Sequence, residues 1–307
     1  MQSAFTIVVP LFALILLGFV FARARIISPD GVKGLGVFVY NLAIPALLFR
    51  SMATGLPHDG AGIGVVYAYY LGGAIVFAAT MLIGRVAFGL DLAKQSLMAI
   101  SAIFSNTVLI GIPLIFAAFP REGQIAVLLI ASLHSLLFVT TATVLVEVGL
   151  GRGGGFAGTF AAVAKNPLLI AVLAGSAWGA VDLAIPAPLD TFLRLLASAA
   201  PPAALFALGA TLAAFRVAGD MREIAAITAL KMLVYPALVW LLAVHLFALS
   251  PTETAVAVIV AALPTGVNPF ILAQRYELYV QRAASSVVIT TALSVVTASL
   301  LLAWFTA

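Results

Sequence analysis

Two short segments of this sequence carry residues that could hold an anion without any cationic side chain. They are Asn106-Thr107-Val108-Leu109-Ile110-Gly111-Ile112-Pro113 and Leu263-Pro264-Thr265-Gly266-Val267-Asn268-Pro269. Each interrupts an apolar run otherwise long enough to cross a bilayer. Proline removes a backbone donor and clashes with the preceding turn, so both runs should break there and leave amides and carbonyls unpaired. Hydrocarbon tolerates such a gap only where protein or a watery cavity lies against it. Beyond each break a half-helix begins inside the membrane. Its free N–H groups carry a partial charge of about +0.5, and two such ends facing one cavity form an anion site. Asn106 and Asn268 add amide groups, and Thr107 and Thr265 add hydroxyls. Gly111, Pro113, Pro264, Gly266 and Pro269 shape the breaks. The plainer alternative is that these residues only mend the broken backbone; two asparagines, each beside its own break, favour the ligand reading.

Other polar residues within apolar runs each have two readings. His134 sits mid-span, where it either meets a substrate or proton or is a neutral ring satisfied by a neighbouring helix. Lys231 either snorkels to the interface or is a buried structural or functional cation. Arg50 is an interfacial anchor or a gate. His245, beside Trp240, is interfacial, and His58 is in a loop. The three histidines lack metal-ligand spacing, and no Asp or Glu falls mid-span, so no metal is expected. No phosphate loop, zinc-protease motif or carboxylate pair is present. No catalytic residue and no cofactor are therefore implied. Gly151-Arg152-Gly153-Gly154-Gly155 reads as a linker.

The elements that must position these residues are membrane spans. The 307-residue chain is 64% hydrophobic and 8% charged, against about 25% charged in soluble domains. Ten apolar spans of bilayer length, each about 20 residues, are expected at 3–22, 33–53, 61–84, 94–119, 122–147, 163–181, 190–215, 222–248, 252–274 and 282–305. The first is a retained helix, because Arg23 and Arg25 follow its apolar run and no basic residue precedes it. With ten spans, twelve of the fifteen Lys and Arg fall on one side and only Arg50, Arg121 and Arg194 on the other. That bias puts both termini outside and the 148–162 loop in the cytoplasm. It also explains the net charge of +4 without a nucleic-acid partner. Cysteine is absent, which excludes disulfides and thiolate metal sites.

The halves repeat. Pro10-Leu11 and Gly18 recur as Pro167-Leu168 and Gly175, and Pro45-Ala46-Leu47-Leu48-Phe49 recurs as Pro202-Ala203-Ala204-Leu205-Phe206, all offset by 157. Five spans separate each pair, an odd number, so the second half enters the membrane in the opposite direction. The expected fold is thus all-α: ten transmembrane helices as two inverted five-helix repeats, residues 1–148 and 163–307, joined by a 149–162 linker, with helices 4 and 9 broken. Inverted repeats with broken helices near the midplane characterise secondary transporters.

At both breaks, and at Asn41-Leu42-Ala43-Ile44-Pro45, the sequence resembles the auxin efflux carrier family, which includes PIN-type plant carriers and bacterial carboxylate transporters. The likeness extends through Phe270, Ala273 and Tyr276 and covers essentially the whole chain. It implies unwound fourth and ninth helices crossing beside the substrate. It also implies a transport domain that moves elevator-fashion against a scaffold of the first, second, sixth and seventh helices, with homodimers forming through the scaffold. Plant members often have proline where this chain has Ser105. Their long regulatory loop has no counterpart here.

The expectation is a secondary transporter of small organic carboxylates, malonate-, malate- or auxin-like, in a bacterial plasma membrane. The rivals are a sodium-coupled bile-acid-type symporter, an anion channel, and a membrane-embedded receptor or signalling scaffold.

Overall fold

The computed structural model describes residues 4–54, 62–151, 167–181 and 183–306. His58, the 152–162 stretch of the linker and the first residues of the sixth expected span lie outside the described residues. Twelve helices follow one another: α1 Ala4–Arg23, α2 Pro29–Ala53, α3 Ile63–Phe88, α4 Leu92–Ile103, α5 Thr107–Ala118, α6 Arg121–Gly149, α7 Pro167–Ala180, α8 Ala187–Leu212, α9 Met221–Leu246, α10 Pro251–Ala262, α11 Asn268–Tyr276 and α12 Val280–Thr306. Seven of them are long and apolar enough to cross a membrane. The fourth and ninth expected spans are each split in two, as α4 with α5 and α10 with α11. The sixth is described only from Pro167.

Three of the prolines inside these helices share a local solution, which Pro10 of α1 and Pro201 and Pro202 of α8 do not use. Pro45, Pro113 and Pro236 each stand two residues beyond the end of a π-helical turn, at Val39–Ala43, Thr107–Gly111 and Leu230–Val234. The widened turn moves the bond back to the fifth preceding carbonyl: Ile44 donates to Val39, Ile112 to Thr107 and Tyr235 to Leu230. The proline ring then clears the carbonyl it would otherwise strike.

Two groups of helices pack. In one, α1 lies along α8, and α2 lies along α7 and α8. The contacts are made backbone to backbone. A Cβ on Gly18 would lie 2.0 Å from the Phe206 carbonyl oxygen, and one on Gly209 would lie 1.8 Å from that of Ile15. The second pair repeats the first, since a Cβ on Gly175 would lie 2.5 Å from the Phe49 oxygen. Gly18 and Gly175, like Phe49 and Phe206, are 157 residues apart. In the other group, α3 and α6 pack on α4 and α10, with α9 and α12 outside them. Its ends are tied by Tyr276, whose hydroxyl donates to Glu147 Oε1 at 2.5 Å, and by Arg282 on Glu223 at 3.0 Å. The broken helices run through this group, and α5 reaches across to α1 and α8.

Candidate functional site

The two breaks meet. After α4 the chain turns extended at Phe104, and after α10 it turns extended at Leu263. Ser105 and Thr265 face each other as an antiparallel bridge. Asn106 N–H donates to the Pro264 carbonyl and Gly266 N–H to the Phe104 carbonyl, both at 2.8 Å. Each break thus supplies the partners the other lacks. This is the form in which unwound backbone survives at membrane depth. Gly266 is required by the closeness, since a Cβ there would lie 2.8 Å from the Phe104 ring. Ser105's own N–H is not part of this ladder.

The C-terminal carbonyls of α4 and α10 are capped from elsewhere. Thr265 Oγ1 donates to the Ser101 carbonyl at 2.9 Å, and its N–H donates to Thr290 Oγ1 at 2.9 Å. Lys231, fully buried on α9, donates to the Ala261 carbonyl and to Ser105 Oγ at 2.9 Å. A cation against the carbonyl end of a half-helix also answers its dipole. Of the two readings of Lys231, snorkelling is therefore excluded. Thr265→Val keeps the shape but strands the Ser101 carbonyl, and should cost about 1–3 kcal/mol. A thermal unfolding midpoint equal to wild type would contradict that role.

His134 is buried against the same point, its Nε2 3.1 Å from the Ser105 carbonyl. A carbonyl only accepts, so Nε2 carries the proton, leaving Nδ1 toward the Tyr69 hydroxyl at 3.5 Å. Tyr69 in turn donates to Ser105 Oγ at 3.0 Å, and its carbonyl accepts from the Tyr235 hydroxyl at 3.1 Å. Tyr69, Ser105, His134, Lys231 and Tyr235 thus form one buried polar network round the crossing. Composition alone did not single out Tyr69 or Tyr235. Their only sequence signal is a hydroxyl-bearing ring in the middle of an apolar run.

The two half-helices begin close to this network. α5 starts two residues after Ser105 and α11 three residues after Thr265, within about 7–10 Å along an extended chain. Asn106 precedes the first turn of α5, and its carbonyl accepts from the Ile110 and Gly111 amides at 3.1 Å. Its side-chain Nδ2 is buried and has no partner. An unpaired buried amide costs about 1–3 kcal/mol, so this group is poised for an acceptor. Thr107 Oγ1 lies 3.4 Å from the Ser105 carbonyl. Asn268 opens α11, half-buried, with Nδ2 3.4 Å from Ser135 Oγ, the residue next to His134. Pro269 takes the second helical position, where no N–H is needed. Gly111 faces Leu263, and Pro113 lies two residues past the π-turn of α5. Of the ten residues singled out in the sequence, eight lie at the crossing or on the first turn leaving it, His134 packs against it from α6, and Pro113 lies on the second turn of α5. Among the described residues no group of His, Asp and Glu could hold a metal ion.

Comparison with known proteins places the chain among membrane transport proteins. A family model described as "Membrane transport protein" matches residues 3–151 and 160–302. A protein of Rhizobium meliloti (strain 1021), named provisionally as a malonate transporter, is 29% identical across 96% of this chain and 94% of its own length. Auxin efflux carrier component 8 of Arabidopsis thaliana is 24% identical across 91% of each. The lysosomal cholesterol signaling protein of Mus musculus is 28% identical over 66% of this chain but only 25% of its own.

Proposed function

The chain belongs to the membrane transport protein family, the auxin efflux carriers, and on that premise we propose that it moves small organic carboxylate anions by alternating access. It is a multi-pass membrane transport protein. The observation that carries the finer reading is the unpartnered Asn106 amide, buried at the mutually paired breaks between two half-helix N-termini. A carboxylate oxygen is the acceptor such donors fit. The name of the Rhizobium relative suggests malonate as the first solute to try.

Ten crossings arranged as two inverted repeats remain the organisation we propose, with α1, α2, α7 and α8 as scaffold and the crossing carried by the other helices. The repeated Gly–carbonyl contacts of Gly18 with Phe206 and Gly175 with Phe49 support it. Ser105, Asn106, His134 and Thr265 are buried, so in this reading a solute reaches them when the two groups of helices part. By the charge bias, both termini lie outside a bacterial plasma membrane. The Lys231 ammonium already sits among the Ser105 and Ala261 oxygens, which favours carriage without a sodium ion there over the sodium-coupled alternative. Pairing through scaffold helices into a homodimer belongs to the same proposal.

The test is malonate counterflow in proteoliposomes, with choline replacing sodium. Asn268→Ala should lower apparent affinity about tenfold, the equivalent of one lost charge-assisted hydrogen bond, while the purified protein keeps its thermal midpoint. Wild-type counterflow by that variant would remove the crossing from the substrate path. Uptake that vanishes without sodium would favour the symporter.

A further inference from the structure

A second feature lies away from the crossing. A recess of about 510 Å³ opens between α2 and α8 on one side and α5 and α6 on the other. Its lining holds Arg50, Arg121 and Arg194. These are the three basic residues that the ten-span count separates from the other twelve. They come from three different helices, so their convergence is a product of packing, not of sequence proximity. Ser51, Gln124 and Ser198 add neutral polar groups, and among the described residues no carboxylate lines the recess.

The charges are only partly answered. Arg50 is held by Asp190, at 2.7 Å and 3.3 Å. Arg121 donates to the Thr54 carbonyl, a neutral acceptor, with the Thr54 hydroxyl 3.4 Å away. Its neighbour Glu122 accepts instead from Ser250 Oγ at 2.7 Å. Arg194 stands one turn beyond Asp190 on α8 and is exposed. Among the described residues three guanidiniums thus share one rim carboxylate, and Arg is the side chain whose planar fork matches carboxylate geometry. α5, which forms part of one wall through Phe116, is the half-helix that starts beside Asn106.

We propose that this recess is a second anion site, distinct from the crossing, which gathers a small dicarboxylate between Arg121 and Arg194 at the seam of the two helix groups. Only the choice of dicarboxylate rests on the proposed function; the attraction for anions rests on the arginines. A positive cleft with low-dielectric walls raises the local concentration of an oppositely charged solute.

The cysteine-free chain makes the test direct. Ser198→Cys places the protein's one thiol in the recess. Its rates of labelling by an anionic and by a cationic methanethiosulfonate are compared, alone and with Arg121→Gln plus Arg194→Gln. The anionic reagent should react faster in the single variant, and the ratio of the two rates should fall at least tenfold when both arginines are neutralised. Malonate should slow labelling more than chloride at equal ionic strength, and should still do so when Asn268→Ala cripples the crossing. A ratio indifferent to the two arginines overturns the proposal. So does equal protection by malonate and chloride, or protection that disappears with Asn268→Ala. Counterflow unaffected by Asn268→Ala would defeat the crossing as the substrate site and leave these labelling results standing.

Discussion

Lys231→Met should reduce malonate counterflow roughly thirtyfold while changing folding stability by no more than about 2 kcal/mol. The stability argument is a near-cancellation. Burying an ammonium costs several kcal/mol after relaxation. Lys231 recovers a comparable sum from two charge-assisted hydrogen bonds, to Ser105 Oγ and the Ala261 carbonyl, at about 1.5–3 kcal/mol each. It also lies 5.1 Å from the centre of the Tyr235 ring, a favourable place for a cation. Methionine fills the space of the stem and removes both the penalty and the gain. What remains is one stranded carbonyl at Ala261, because Ser105 Oγ keeps Tyr69 as a donor. The effect on transport has no such compensation. A carboxylate held about 8 Å from the ammonium, at an effective dielectric of about 20, loses about 2 kcal/mol of attraction. Counterflow kinetics and thermal unfolding measured on the same preparation separate the two effects. A stable Lys231→Met protein that transports malonate at the wild-type rate would show that the cation serves the fold alone. A severe loss of stability would show that the cancellation does not hold.

The second break was legible because its cause is local. At the second break Pro264 and Gly266 stand in the gap itself and Pro269 in the first turn beyond it; at the first the chain opens at Phe104–Asn106, upstream of Gly111 and Pro113, which lie within continuous α5. The partners of the breaks were not legible, because they come from far along the chain. Ser105 meets Thr265 and Lys231 reaches Ser105 only after α3, α6 and α9 have packed around the crossing. The same holds for Lys231 itself: its position in the sequence permits both snorkelling and burial, and only the carbonyl end of α10 decides between them. His134 was expected to face the site, and its ring does lie against the crossing, held by the Ser105 carbonyl. The hydroxyl of Thr265, expected as a ligand group, donates its hydrogen to the Ser101 carbonyl of α4. Three of the π-turns stand before a proline, at Pro45, Pro113 and Pro236, but those at Ser135–Val139 and Leu242–Leu246 have none, and Pro10, Pro201 and Pro202 sit in plain α-helix, so proline alone does not signal them. The arginine recess stood half in view: the charge count isolated Arg50, Arg121 and Arg194, but only the packing of α2, α6 and α8 brings them together.

Gly209→Ala should be the most damaging single-methyl change in the protein, costing more than about 3 kcal/mol. The added Cβ would lie 1.8 Å from the Ile15 carbonyl oxygen and 2.7 Å from its carbon. Both are backbone atoms, so no rotamer change relieves the clash. A Cα–H···O contact needs about 3.3 Å or more, so α1 and α8 must move apart by roughly 1.5 Å along a line where they are packed closely. In a membrane the close approach of small residues is itself the main source of helix–helix attraction, so the separation forfeits the contact that drives the pair together. The same geometry sets an order. Gly18→Ala meets the Phe206 oxygen at 2.0 Å, Gly175→Ala the Phe49 oxygen at 2.5 Å, and Gly179→Ala the Met52 oxygen at 2.8 Å. Damage should fall in that sequence, with Gly34→Ala, which meets nothing within 4 Å, neutral or slightly stabilising through helix propensity. Thermal unfolding of the five variants in one detergent checks the ranking. Gly18 and Gly175 occupy corresponding places in the two halves, so their shared direction of effect also probes the repeat. A Gly175→Ala protein as stable as Gly34→Ala would mean that the α2–α7 contact is not the counterpart of α1–α8. A Gly209→Ala protein of wild-type stability would mean that the helices do not approach this closely at all.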